Sequence, residues 1–179
     1  MRKSHTIAAL VFISVLLLSS CFAEKDPFYA GPYSGVQNIE LNTSWWDSND
    51  VFLRTDFEGS YSYGDEIACN LAQGEGDEVT LVLNFNNVNL FYLYGQKTYL
   101  PVVTSVYLYG TISGDNITFP VQTPNVDIIS YHGSGKINAS GDLALQIFQE
   151  IDGYDFSPDF STIYHYTVFA NHVIDLKKL

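Results

Sequence analysis

Between residues 78 and 85 the chain alternates strictly, with Val79, Leu81, Leu83 and Phe85 on one side and Thr80, Val82 and Asn84 on the other. A period of two marks a half-buried β-strand, because successive side chains of an extended backbone point to opposite faces. The pattern returns over residues 105–113, where Val106, Leu108 and Ile112 oppose Tyr107, Tyr109 and Thr111. It returns again over 164–173, with Tyr164, Tyr166 and Val168 together. Two turn sequences, Ser113-Gly114-Asp115-Asn116 and Ala139-Ser140-Gly141-Asp142, join alternating runs in the manner of antiparallel hairpins. No segment carries a sustained helical period with caps, so nothing supplies the crossovers that a parallel sheet needs. These constraints predict an all-β fold of about eight to ten strands, an antiparallel meander barrel, with a β-sandwich as the alternative. A barrel has the advantage of leaving no open edge.

Further strands are predicted over 33–41, 51–57, 60–71, 89–94, 117–121, 136–138 and 143–150. Trp45-Trp46-Asp47-Ser48-Asn49-Asp50 reads as a polar loop, Asn86-Asn87 as punctuation between two strands, and 152–159 as a loop. The last five residues read as a tail of no structural weight. Tyrosine numbers 13 and aromatics make up 15% of the chain, a composition that suits strands.

The N-terminus is of a different character. Arg2 and Lys3 precede an apolar run over 7–18 that is too short to span a membrane and the right length for an export signal. That run closes on Leu18-Ser19-Ser20-Cys21, an aliphatic residue, two small ones and a cysteine, as in bacterial lipoprotein signals. The reading is a signal peptide over 1–20, lipidation at Cys21, a tether over 21–30 and one barrel domain over 31–175. The alternative is plain secretion with cleavage after Ala23. The only other cysteine, Cys69, is flanked by apolar residues and reads as a small buried hydrophobe.

The formal charge is −12, and removing the first twenty residues takes away two basic residues and no acid, which leaves −14. A surface this acidic repels nucleic acid, which binds basic stripes, and nucleic acid is excluded as a partner.

Several runs resemble the calycin-like (lipocalin-like) lipoproteins of Bacteroidetes-type bacteria. They are Tyr33-Ser34-Gly35, Leu81-Val82-Leu83-Asn84-Phe85, Tyr107-Leu108-Tyr109-Gly110, Asn116-Ile117-Thr118-Phe119-Pro120 and the hairpin Gly133-Ser134-Gly135-Lys136-Ile137 with Leu143-Ala144-Leu145-Gln146-Ile147. The C-terminus departs from that pattern, with Phe169-Ala170-Asn171 where a glycine is expected. The resemblance implies a lipocalin-like barrel at the cell envelope and brings no catalytic residues. The tract Phe22-Ala23-Glu24-Lys25-Asp26-Pro27 after Cys21 resembles the export tags of surface lipoproteins in such bacteria, which points to an outer-membrane lipoprotein displayed on the surface, with secretion as the alternative.

Candidate chemistry is sparse. A nucleophilic enzyme needs a nucleophile, a base and an orienting acid. Beyond the signal there are only His132, His165 and His172, and no Gly-x-Ser-x-Gly elbow. Each histidine reads as a surface or hydrogen-bonded residue. Asp152, Asp155 and Asp159 share one stretch, but their spacing fits no calcium loop, so no metal and no cofactor are expected. Aromatic residues are the informative class, since rings beside carboxylates stack on sugars or line a barrel mouth. Trp45, Trp46, Tyr92, Tyr94, Tyr107 and Tyr109 are the candidate ligand-binding set. The sequence reading is thus a lipid-anchored, non-enzymatic barrel that binds a small apolar or saccharide ligand or a protein partner. The competing reading is a structural or adhesion module whose interior is filled.

Overall fold

The structure, a computed structural model, describes residues 29–124 and 128–179. The signal, Cys21 and most of the tether lie outside the described residues. Eight strands follow one another: β1 (Gly31–Trp46), β2 (Phe52–Gln73), β3 (Glu78–Leu93), β4 (Gln96–Ser113), β5 (Asn116–Gln122), β6 (Ile129–Ile137), β7 (Leu143–Phe156) and β8 (Ile163–Lys178). Each pairs antiparallel with its sequence neighbours, and β8 closes on β1, which makes an up-and-down meander barrel of the lipocalin type. The sandwich alternative is excluded.

Alternation sorts the side chains as expected. Val79, Leu81, Leu83, Phe85, Val106 and Leu108 are buried inside, while Tyr107 and Tyr109 stand outside. At the end where β1 begins and β8 finishes, called the terminal end, buried side chains from every strand fill the barrel, among them Tyr33, Ile67, Leu71, Phe119, Ile147 and Ile174. Each such apolar side chain contributes about 1.5–3 kcal/mol on burial. A second, smaller core of Ile39, Leu41, Trp45, Leu90, Ile151, Tyr166, Val168 and Ala170 occupies the opposite end. That end, carrying the β1–β2, β3–β4 and β7–β8 turns, is called the mouth below.

Polar side chains lie between the two cores. His172 is fully buried; its Nδ1 accepts from Gln37 Nε2 (2.8 Å) and its Nε2 faces Gln149 Oε1 (3.2 Å). Gln37 Nε2 also donates to the Asn86 carbonyl (3.0 Å), and the Asn86 N–H donates to Gln37 Oε1 (3.0 Å). With both Gln37 amide hydrogens committed, Nδ1 is the acceptor and Nε2 carries the imidazole proton.

Sequence and structure part in several places. Residues 51–57 and 60–71 belong to one 22-residue strand, β2. Asn86 and Asn87 sit inside β3, where Gln37 bonds the Asn86 main chain and Asn87 Nδ2 donates to Tyr131 Oη (3.0 Å). The stretch 152–156 continues β7. The C-terminal tail completes β8, pairing with β1 through Lys178↔Tyr33, and Phe169-Ala170-Asn171 pairs with β1 in full register, so the barrel closes.

The closure is uneven. β2 and β3 are paired only from Ala68↔Asn84 to Gln73↔Val79, and β4 meets β5 over three pairs, Thr111↔Thr118 to Ser113↔Asn116. Toward the mouth, β3 and β4 therefore continue as a two-stranded ribbon paired to itself, Asn86↔Val103 to Leu93↔Gln96. This ribbon crosses the mouth and is fastened by side chains. Leu90 enters the mouth core, and the Gly95 N–H donates to Asp155 Oδ2 (2.8 Å).

Candidate functional site

Two bulges in the β1–β2 pairing shape the mouth. Leu41 faces Gly59 and Asn42 faces Phe57, so Glu58 is the extra residue; Leu53 is extra between Arg54 and Phe52. A bulge shifts the alternation of its strand and re-aims the side chains that follow. Asp56 and Leu53 consequently line the mouth, and Glu58 turns toward the ribbon. The Glu58 carboxylate receives hydrogen bonds from Tyr92 Oη and Lys97 Nζ. Burial pushes the Glu58 carboxyl up, but bonds from Lys97, Tyr92 and Thr43 outweigh it and hold the group below its ordinary value. Tyr92, half-buried and bonded to that carboxylate, is pushed up well beyond its ordinary value by burial and by Glu58.

Below the ribbon three rings form a knot. The centroid of Trp45 lies 4.5 Å from Tyr92 and 5.3 Å from Tyr166, and Tyr92 and Tyr166 are 5.1 Å apart. Gly153, cross-strand from Tyr166, makes room for this knot, since a Cβ there would lie 2.4 Å from the Tyr166 ring.

Above the knot is a cavity of about 290 Å³ lined by Trp45, Tyr92, Tyr164, Arg54, Asp56 and Asp155, with Leu53, Phe156 and Pro158 at its rim. The Arg54 guanidinium sits 5.2 Å from the centre of the Trp45 ring, and its Nε pairs with Asp56 at 2.9 Å. Among the described residues, two side-chain atoms of lining residues are buried with no hydrogen-bond partner: Trp45 Nε1, a donor, and Asp155 Oδ1, an acceptor. Trp45 is 5% exposed and Asp155 2%, so neither atom has ready access to bulk water. Leaving such a group unpaired costs about 1–3 kcal/mol, more for a charge. A larger recess of about 570 Å³ lies on the outer wall near the termini, but Asp142 in its lining is already bonded by Ser140 and Asn138.

Part of the mouth rim is apolar and locally strained. Tyr94 and Phe160, at the tips of the β3–β4 and β7–β8 turns, adopt positive φ of 54° and 59°. Bulky side chains in the left-handed region carry a penalty of order 1–3 kcal/mol each. Their rings touch at 5.1 Å.

The six predicted aromatic residues are only partly brought together. Trp45 and Tyr92 meet in the knot and line the cavity. Trp45 and Trp46 are not in a loop: both end β1, so alternation sends Trp45 inward and Trp46 outward. Trp46 there contacts Phe52 and His165. Tyr94 stands on the rim. Tyr107 and Tyr109 are on the outer wall, and Tyr107 pairs with Val82, ten residues along β3 from Tyr92, a separation of about 33 Å.

Arg54, Asp56, Glu58 and Asp155 were not among the predicted site residues. Asp155 was within reach of the pattern, because Leu143, Leu145, Ile147, Gln149, Ile151 and Gly153 share its inward parity. Arg54, Asp56 and Glu58 depend on a bulge that alternation alone does not reveal. Among the histidines, His172 is in the buried layer, His165 stacks between Trp46 and Tyr154, and His132 stacks on Phe148. Among the described residues no group of three or more His, Cys, Asp or Glu side chains is arranged to hold a metal ion. The chain matches no protein-family model, and no characterised protein shows significant sequence similarity to it.

Proposed function

We propose that this protein is a binding protein of the cell envelope, calycin-like and tethered through a lipid on Cys21, that captures a neutral saccharide in the barrel mouth. The observation that carries the ligand reading is the orphaned donor and acceptor, Trp45 Nε1 and Asp155 Oδ1, on two residues that line one cavity. A hydroxyl both accepts and donates, so a polyol satisfies both atoms, which a hydrocarbon cannot do. The cavity volume is at the small end of ligand sites, which run from about 300 to 1,000 Å³, and suits a single sugar ring. A cationic ligand would compete with Arg54 for the Trp45 face, and an anionic one would meet Asp56 and Asp155.

The tether reading is supported by the signal-like N-terminus and by the direction of the chain. The barrel is entered at Gly31, at the end opposite the mouth, so an anchor there holds the mouth away from the membrane. The filled interior at the terminal end favours a second reading, a structural module with no ligand.

Titration with methyl glycosides of glucose, galactose, mannose and N-acetylglucosamine, followed by protein NMR, separates the two. The expected result is perturbation of mouth resonances by at least one glycoside. Trp45→Phe and Asp155→Asn should each weaken binding about tenfold, the equivalent of one lost hydrogen bond of about 1.4 kcal/mol. Absence of binding at millimolar concentration, or binding by both variants as tight as by wild type, refutes the ligand reading. Intact mass spectrometry of the native protein tests the anchor, and a mature chain beginning at Glu24 without lipid refutes it.

A further inference from the structure

The mouth changes character over a short distance. Its cavity is lined by Trp45, Arg54, Asp56 and Asp155, and its rim carries Leu53, Leu93, Tyr94, Phe156 and Phe160, all exposed. The β1–β2 turn at the mouth is polar, Asp47-Ser48-Asn49-Asp50, so apart from Leu53 this apolar surface is confined to the side of the rim formed by the β3–β4 and β7–β8 turns. The opposite end has only polar turns, Gly74-Glu75-Gly76-Asp77, Gly114-Asp115 and Asn138-Ala139-Ser140-Gly141-Asp142. Rim and cavity are continuous, because Leu53 and Phe156 line the cavity, Phe160 lies 6.2 Å from Phe156, and Tyr94 touches Phe160. Exposed apolar surface gathered around a pocket marks a binding surface.

The rim is also where the strained residues sit. Turns at positive φ ordinarily take glycine, asparagine or aspartate, as Asp50 does in the β1–β2 turn. Tyrosine at 94 and phenylalanine at 160 retain a penalty that glycine would remove, and both direct an aromatic ring to the rim. Strain kept at such a place points to use of the side chains.

Resting on the saccharide reading above, we infer that the ligand is a neutral amphiphile, a glycoside bearing a hydrocarbon chain. Its sugar enters the cavity head-first to meet Trp45 and Asp155, and its apolar tail lies on the Leu53–Phe156–Phe160–Tyr94 rim. The net charge of −12 disfavours phosphate, sulfate or carboxylate head groups.

The test compares octyl and methyl β-glucoside and β-galactoside, below the micellar range, on the wild-type protein and on a Tyr94→Gly/Phe160→Gly double variant. Glycine relieves the backbone at both positions, so the variant is expected to melt no lower than wild type. Octyl glycosides should bind wild type at least tenfold more tightly than methyl glycosides. The variant should lose that advantage and keep its methyl-glycoside affinity. Equal binding of octyl and methyl forms by wild type, or an octyl advantage that survives in the variant, overturns the amphiphile inference and leaves the saccharide site standing. Failure of wild type to bind either form overturns both.

Discussion

Acidification should destabilise this barrel through His172. The imidazole is fully buried between Gln37, Gln149 and the edge of Phe85, with ring centroids 4.8 Å apart in the last contact. Both hydrogen bonds are made by the neutral ring, and burial pulls the group down from 6.5 to about 3. Above pH 6.5 the native and unfolded chains are both neutral at this position and nothing is lost. As pH falls below 6.5 the unfolded chain takes up a proton that the native chain refuses until about pH 3, so stability declines across that window. The slope approaches 1.36 kcal/mol per pH unit, and integration from pH 7 to pH 5 gives a loss of about 2 kcal/mol. Urea unfolding at pH 7, 6 and 5, followed by tryptophan fluorescence, measures it against His172→Gln, which removes the titrating ring. The wild-type protein should lose about 2 kcal/mol more than the variant over this range, whatever their difference at pH 7. Equal slopes would refute the assignment of a neutral, sequestered imidazole.

Two further predictions concern packing. Gly153→Ala places a Cβ 2.4 Å from the Tyr166 ring and should lower stability by about 1–3 kcal/mol, seen as a drop in Tm; an unchanged Tm would show that the ring knot yields freely. Cys69 is buried in the terminal-end core, where burial pushes its thiol up to about 12. It should resist a thiol reagent at pH 8 in the native protein and react promptly in urea, and rapid native labelling would contradict its position inside the barrel.

The fold was legible wherever one face of a strand is buried and the other wet, as in β3 at Val79–Phe85 and in β4 at Val106–Ile112. The Gly114 and Gly141 turns declared themselves because both glycines adopt positive φ, at 60° and 88°. Legibility failed where polar side chains are buried for a reason that only tertiary structure supplies. Asn86 and Asn87 look like a break until Gln37, 49 residues before Asn86, is seen holding its backbone. Trp45 and Trp46 look like a matched pair until β1 carries them to opposite sides of its sheet. The half of the site that sequence missed, Arg54, Asp56 and Glu58, depends on bulged register, which is a property of two strands and cannot be read from either alone.

The Gln37 amide has a consequence for the life of the protein at high concentration. Where β2 leaves β3, the β3 strand of the ribbon has no strand paired along that flank among the described residues, the kind of template on which a second chain can grow an intermolecular sheet. Gln37 fills one station of that flank from inside the barrel, donating to the carbonyl and accepting from the N–H of Asn86 as a neighbouring strand residue would. The amide thereby occupies the one pair of main-chain groups that an incoming strand would need at Asn86, and Gln37→Ala would open it.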